Sequence, residues 1–163
     1  MLTSYKYYSQ GGDRNCDGSA SAPAPGDWSY IDFNGGTGTL SGCTILYGGY
    51  NYYNYGAVYI HSSASSPTIT GSTISYSQSA GIFVSSGSPS ITNNTVSNNL
   101  GSYGIYLATR PAALPGNVIT GNANAKAVWL PATMGQGTIY NNTYSGNKYN
   151  AMFVAGDVTA STT

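Results

Sequence analysis

The chain has 163 residues and a formal net charge of zero, with charged residues making up only 6% of it. Its acidic residues are five aspartates, and its five basic residues are scattered, which excludes the clustered Lys and Arg of a nucleic-acid surface. No run of 18 apolar residues occurs, so no membrane-inserted helix is expected.

Met1 to Gln10 lacks the basic-then-apolar form of a signal peptide and predicts an opening strand around Leu2 to Tyr5. Gly11 to Asp27 is a Gly/Asp/Pro-rich loop. Within it, Asp13, Asn15 and Asp17 stand at alternate positions before Gly18, as oxygen donors do in the first half of a calcium loop. The twelfth position is Ala24 rather than a bidentate Glu, leaving Asp27 or backbone carbonyls to complete the sphere. Calcium at Asp13, Asn15 and Asp17 is therefore one reading, and a plain Asx-rich turn is the other.

From Trp28 onward the chain repeats. Middle segments begin at Thr39, Thr68, Ser90, Ala113 and Thr138, with displacements of 29, 22, 23 and 25 residues. The longest displacement contains the insertion Tyr50 to Tyr55. Leading segments read YIDF, AVYI, GIFV, GIYL, AVWL and AMFV, ending at Phe33, Ile60, Val84, Leu107, Leu130 and Val154. Such short apolar pieces, separated by Gly, Ser and Asn, cannot bury a face alone and must stack. The prediction is an all-β, right-handed parallel β-helix of about six turns, with three short strands per turn. One domain spans residues 1–163, with an opening section over 1–27, stacked repeats over 28–154 and a tail over 155–163. Pro115 makes the fourth turn the weakest, because it removes a ladder donor.

Alternation along each leading strand sends Ile31/Phe33, Val58/Ile60, Ile82/Val84, Ile105/Leu107, Val128/Leu130 and Met152/Val154 inward. Ile69, Ile91, Leu114 and Ile139 form a further apolar column, as do Ile45, Ile74, Val96 and Ile119. Two polar columns follow at the turns, Cys43/Ser72/Asn94/Asn117/Asn142 and Ser77/Asn99/Asn122/Asn147. Stacked amides there would satisfy buried turn backbone, a structural role.

These repeats resemble the right-handed parallel β-helix (pectate-lyase-like) superfamily, which includes polysaccharide lyases and hydrolases and many noncatalytic bacterial surface proteins. The opening segment, GGD-x-N-x-DG followed by Pro-Ala-Pro-Gly-Asp-Trp, is similar to one in large secreted bacterial proteins of that fold. The resemblance implies the fold and an extracellular or cell-surface location, which the Ser/Thr/Asn/Tyr-rich composition also suits. It does not choose an activity.

The outward middle residues of successive leading strands are Asp32, Tyr59, Phe83, Tyr106, Trp129 and Phe153. Five aromatics in a row, about 4.8 Å apart, form a stripe suited to contact with a partner. A homodimer or a polysaccharide would fit Tyr59, Phe83, Tyr106, Trp129 and Phe153, and so would the Tyr-rich insertion or N-terminal arm folding back. A glycosidase needs paired carboxylates and a lyase needs a basic residue beside bound calcium. No two aspartates align on neighbouring leading strands, and Arg110 and Lys126 are the only basic residues near the stripe. No catalytic residue is assigned, and a noncatalytic module is expected, with a polysaccharide-processing enzyme as the alternative. His61 is read as a surface residue, and Cys16 and Cys43 as free thiols.

Overall fold

The computed structural model describes residues 1–8, 15–18, 20–50, 55–132 and 139–156. It is a parallel β-solenoid of about five complete turns, built on three sheets whose strands all pair in parallel. The first sheet holds the leading strands β1 (Ile31–Phe33), β4 (Gly56–Ile60), β7 (Ala80–Val84), β10 (Tyr103–Leu107), β12 (Lys126–Pro131) and β14 (Tyr149–Ala155), in that order. The second holds β3 (Thr44–Leu46), β6 (Thr73–Ser75), β9 (Thr95–Ser97), β11 (Val118–Thr120) and β13 (Thr143–Ser145). Among the described residues, the third holds β2 (Thr39–Ser41), β5 (Thr68–Thr70) and β8 (Ser90–Thr92). Beyond β8 the described residues continue the ladder without forming a further strand: Ala113 bridges Ser90, and the Ala113 and Pro115 carbonyls accept from the Ile91 and Asn93 N–H groups, while Pro115 has no N–H to donate. Leu2 bridges Ile45 and extends the second sheet, so the opening strand is shorter than the sequence suggests.

The register follows the alternation. Ile31, Val58, Ile82, Ile105, Val128 and Met152 align across the first sheet, and Ile45, Ile74, Val96, Ile119 and Tyr144 across the second. Val58, Ile60, Ile82, Val84, Ile105, Leu107 and Val128 are completely buried. Each such side chain contributes roughly 1.5–3 kcal/mol of transfer free energy. Met152 and Val154 depart from the expectation. They keep the inward register, yet they are 41% and 51% exposed, because no further turn among the described residues covers them.

The corners explain the spacing. Each three-residue strand of the second sheet is bracketed by two left-handed residues. Gly42, Gly71, Asn93, Gly116 and Asn141 precede it, and Tyr47, Tyr76, Asn98, Gly121 and Gly146 follow it, all with φ between 54° and 73°. Gly and Asn adopt this region readily. Tyr47 and Tyr76 do not, and they stack on one another with centroids 5.3 Å apart. Directly after each of these left-handed residues, Tyr47 excepted, stands a member of one of the two columns that form the amide ladders. The backbone N–H groups of Ser72, Asn94 and Asn117 donate to Oδ1 of Asn94, Asn117 and Asn142, at 2.9–3.0 Å. Those of Ser77, Asn99 and Asn122 donate to Oδ1 of Asn99, Asn122 and Asn147, at 2.9–3.1 Å. Both columns are internal scaffolding, as their alignment predicts.

Candidate functional site

The first sheet places Asp32, Tyr59, Phe83, Tyr106, Trp129 and Phe153 in one register on its outer face. Two arrangements divide this row. Phe83, Tyr106 and Trp129 are half-buried and stack face to face, Phe83 on Tyr106 at 4.3 Å and 16°, Tyr106 on Trp129 at 4.6 Å and 8°. The strand repeat imposes this packing, since a spacing of about 4.8 Å leaves room for little beyond one ring thickness. Both faces of Tyr106, and one face each of Phe83 and Trp129, are thus covered by a neighbouring ring, and Tyr106 carries a hydroxyl at its tip. Burial, and then the neighbouring Tyr103, pushes that hydroxyl's pKa up, so it remains a protonated donor well into alkaline solution.

Tyr59 sits differently. It is buried beneath Tyr55, which stacks on it at 4.0 Å, and meets Tyr30 edge-on at 5.7 Å. The end of the insertion therefore folds back onto the stripe, although residues 51–54 lie outside the described part. In the N-terminal arm, Tyr7 packs instead against Tyr47 at another corner. Beside Phe83, the exposed Leu100, Gln78, Ala80, Ser102 and Tyr103 line a groove of about 410 Å³.

Two residues that the sequence reading left at the margin belong here. His61 is not a lone surface group: its Nε2 lies 2.8 Å from Asp32 Oδ1 and its ring stacks on Tyr59 at 4.5 Å. The signal was available, because Asp32 is the outward residue of β1 and His61 directly follows the neighbouring β4, but it needs the register to be seen. Lys126 is the first residue of β12, aligned between Tyr103 and Tyr149, with its Nζ above the rings of Tyr103 and Phe153 at 5.5 and 5.2 Å. Arg110 is exposed on a loop.

The calcium reading gains no support. Asp13 lies outside the described residues. Asp17 accepts hydrogen bonds from Tyr8, Ser21 and Asn15, and those from Ser21 and then Tyr8 lower its pKa. Asp27, the proposed completing ligand, is committed elsewhere, to Lys6 Nζ at 2.8 Å, Ser4 Oγ and the Ala24 N–H. Among the described residues, Asp27 thus ties the loop to the N-terminal arm. Cys16 and Cys43 are free thiols.

A parallel coil with two internal asparagine ladders, running through the last turn, is what the comparison with known families has to match. Residues 41–163 match the family described as "Periplasmic copper-binding protein (NosD)". The chain belongs to the NosD family. No curated protein and no solved structure matches it. The NosD description places the family in the periplasm, which agrees broadly with a location outside the cytoplasm, and no helix among the described residues is long and apolar enough to cross a membrane. The copper in the NosD description can be tested against this chain's donors. Copper favours imidazole, thiolate and thioether ligands. His61 is engaged by Asp32 and Tyr59, Cys43 lies in the turn column against the Ser41 carbonyl, and Cys16 is on the N-terminal loop. No three His, Cys, Asp or Glu side chains gather among the described residues. These residues do not fit a copper centre of the kind the NosD description names.

Proposed function

We propose that this chain is a noncatalytic contact module of an exported, surface-acting protein, and that Phe83, Tyr106, Trp129 and Phe153 form its docking face, with Tyr59 as their buried anchor. The occupant this face suits best is the same face of a second copy. The observation that carries the reading is the face-to-face packing of the rings. Sugar rings bind aromatic residues through their faces, and here both faces of Tyr106 and one each of Phe83 and Trp129 are taken by a neighbouring ring, which leaves a glycan little open face along the row. Ring edges, tyrosine hydroxyls and the adjoining Leu100 groove instead suit a flat protein surface, where aromatics supply area at small conformational cost. Against catalysis, the three described aspartates are tied to three different partner sets: Asp17 to Tyr8, Ser21 and Asn15, Asp27 to Lys6 and Ser4, and Asp32 to His61.

The test is a triple variant, Phe83→Ser/Tyr106→Ser/Trp129→Ser, compared with the parent by light scattering and by titration with neutral polysaccharides. The expected result is a laterally paired parent and a folded variant that no longer pairs side by side. A monomeric parent whose polysaccharide affinity disappears in the variant would transfer the stripe to glycan recognition. A variant unchanged in mass, affinity and melting temperature would remove the stripe from function.

A further inference from the structure

The corner that leads into each strand of the second sheet has the same backbone in every layer but not the same side chain. It is occupied in turn by Gly42, Gly71, Asn93, Gly116 and Asn141, all with φ between 54° and 73°. The next residue enters the inner column, and glycine precedes Cys43, Ser72 and Asn117 just as asparagine precedes Asn94 and Asn142. The corner therefore needs only a backbone that accepts positive φ, which glycine adopts most readily. The side chains of Asn93 and Asn141 are an addition that the turn itself does not require.

The same two asparagines stand apart in the sequence. They are the only ones followed two residues later by Ser or Thr, in Asn93-Asn94-Thr95 and Asn141-Asn142-Thr143. Asn-x-Ser/Thr is the tripeptide to which N-linked sugar is attached in exported chains. The fold gives the two asparagines of the first tripeptide opposite fates. Asn94 is buried, and its Nδ2 donates to the Ile69 carbonyl and to Asn117 Oδ1, at 2.8 and 3.1 Å. Asn93 is exposed, and its Nδ2 has no hydrogen-bond partner among the described residues. Its Oδ1 lies over Gly116, where a Cβ would collide with it, and Gly71 in the layer below leaves open space. Described layers lie on both sides of Asn93, so its exposure belongs to the corner. Asn141 and Thr143 repeat the arrangement two layers on, and both are exposed.

We propose that Asn93 and Asn141 are acceptors of N-linked oligosaccharide. In the transfer, Nδ2 attacks the anomeric carbon of a lipid diphosphate-linked sugar held by a membrane transferase. The carbon–nitrogen bond forms as the bond from that carbon to the diphosphate oxygen breaks. The lipid diphosphate leaves, and the amide nitrogen gives one proton to a base of the transferase. In the folded chain the N–H groups of Asn93 and Thr95 are held by the Pro115 and Ser72 carbonyls, at 3.1 and 2.8 Å. The transferase thus meets the tripeptide before the layers close, and the closed corner leaves the sugar outside. The first sheet has no part in this corner, so the sugar stays clear of Phe83, Tyr106 and Trp129. With charged residues at only 6% of the chain, a hydrated sugar supplies wetting that charge does not.

The experiment is an intact-mass measurement on the full chain as exported by its native source, with and without peptide-N-glycosidase, followed by peptide sequencing. The expected result is a mass above that of the polypeptide, which the glycosidase removes, leaving aspartate in place of both asparagines. Asn93→Gly copies the corner of the neighbouring layers, so it should lose one increment and keep a cooperative melt. Asn141→Gly should lose the other. Thr95→Val should abolish the sugar on Asn93 while leaving that asparagine in place, and Thr95→Ser should retain it. A parent with the mass of the bare polypeptide would overturn the proposal, and so would an increment that survives in Asn93→Gly/Asn141→Gly.

Discussion

Asn99 aims both its backbone N–H and its side-chain Nδ2 at a single acceptor, Oδ1 of Asn122, at 2.9 and 3.0 Å. Asn122 in turn donates to the Val96 carbonyl and to Asn147 Oδ1. One amide therefore joins three turns, in the buried interior. Asn122→Ala strips two buried donors of their acceptor and should cost about 3–5 kcal/mol in chemical denaturation. Asn147→Ala, at the exposed end of the same ladder, should cost less. Equal losses at the two positions would mean the ladder is not cooperative along its length.

Ile82 and Phe83 are adjacent, yet one is fully buried and the other reaches solvent. Ile82→Asp places a carboxylate in an aliphatic stack and should abolish the cooperative thermal transition. Phe83→Asp should keep that transition, lowered by the lost ring contact. The reverse outcome would place the two residues on the wrong faces.

Tyr76 is held at φ 57° by its corner while stacking on Tyr47. Tyr76→Gly gives up the stack but relieves the left-handed backbone, and the two changes, each about 1 kcal/mol, should nearly cancel. Tyr76→Val loses the stack and keeps the strain, and should be less stable than the glycine variant by about 1–2 kcal/mol. Matching unfolding midpoints for the two variants would show that this corner does not demand a left-handed residue.

The arm is fastened by Lys6 and Asp27 at 2.8 Å. Burial opposes ionisation of Asp27, but hydrogen bonds from Lys6, Ser4 and the Ala24 N–H, with the charge of Lys6, hold its carboxyl below the ordinary range. A depressed carboxyl stabilises the fold above its unfolded value of about 3.9, and the contribution fades as pH falls through the folded value. Lys6 is raised by its hydrogen bond to Asp27, so its share is present below about pH 10.4 and fades above it. Melting temperature followed against pH should therefore drop below about pH 4 more steeply in the parent than in Asp27→Asn. Parallel acid limbs would detach this pair from stability.

Copper should leave the melting temperature unchanged, given where His61, Cys16 and Cys43 stand. A one-to-one rise that vanishes in His61→Ala would show that His61 leaves Asp32 to take the metal.

The repeat, the six leading strands and their inward and outward faces were all legible in the sequence, because strand alternation and a period near 23 residues leave one register that buries Ile82 with Ile105 and Val84 with Leu107. The asparagine columns were legible for the same reason, since stacking in parallel puts identical positions over one another. The ring packing was not. Whether Phe83, Tyr106 and Trp129 offer faces or edges depends on side-chain torsions that only the spacing of neighbouring strands restricts. The contact of His61 with Asp32 and the cover of Tyr59 by Tyr55 likewise join residues 29 and 4 apart in ways no local pattern announces. The exposed Met152 and Val154 show the limit most plainly. Their inward direction is a property of the strand and was written in the residues, whereas their burial is a property of the layer above, which only the tertiary structure supplies or withholds.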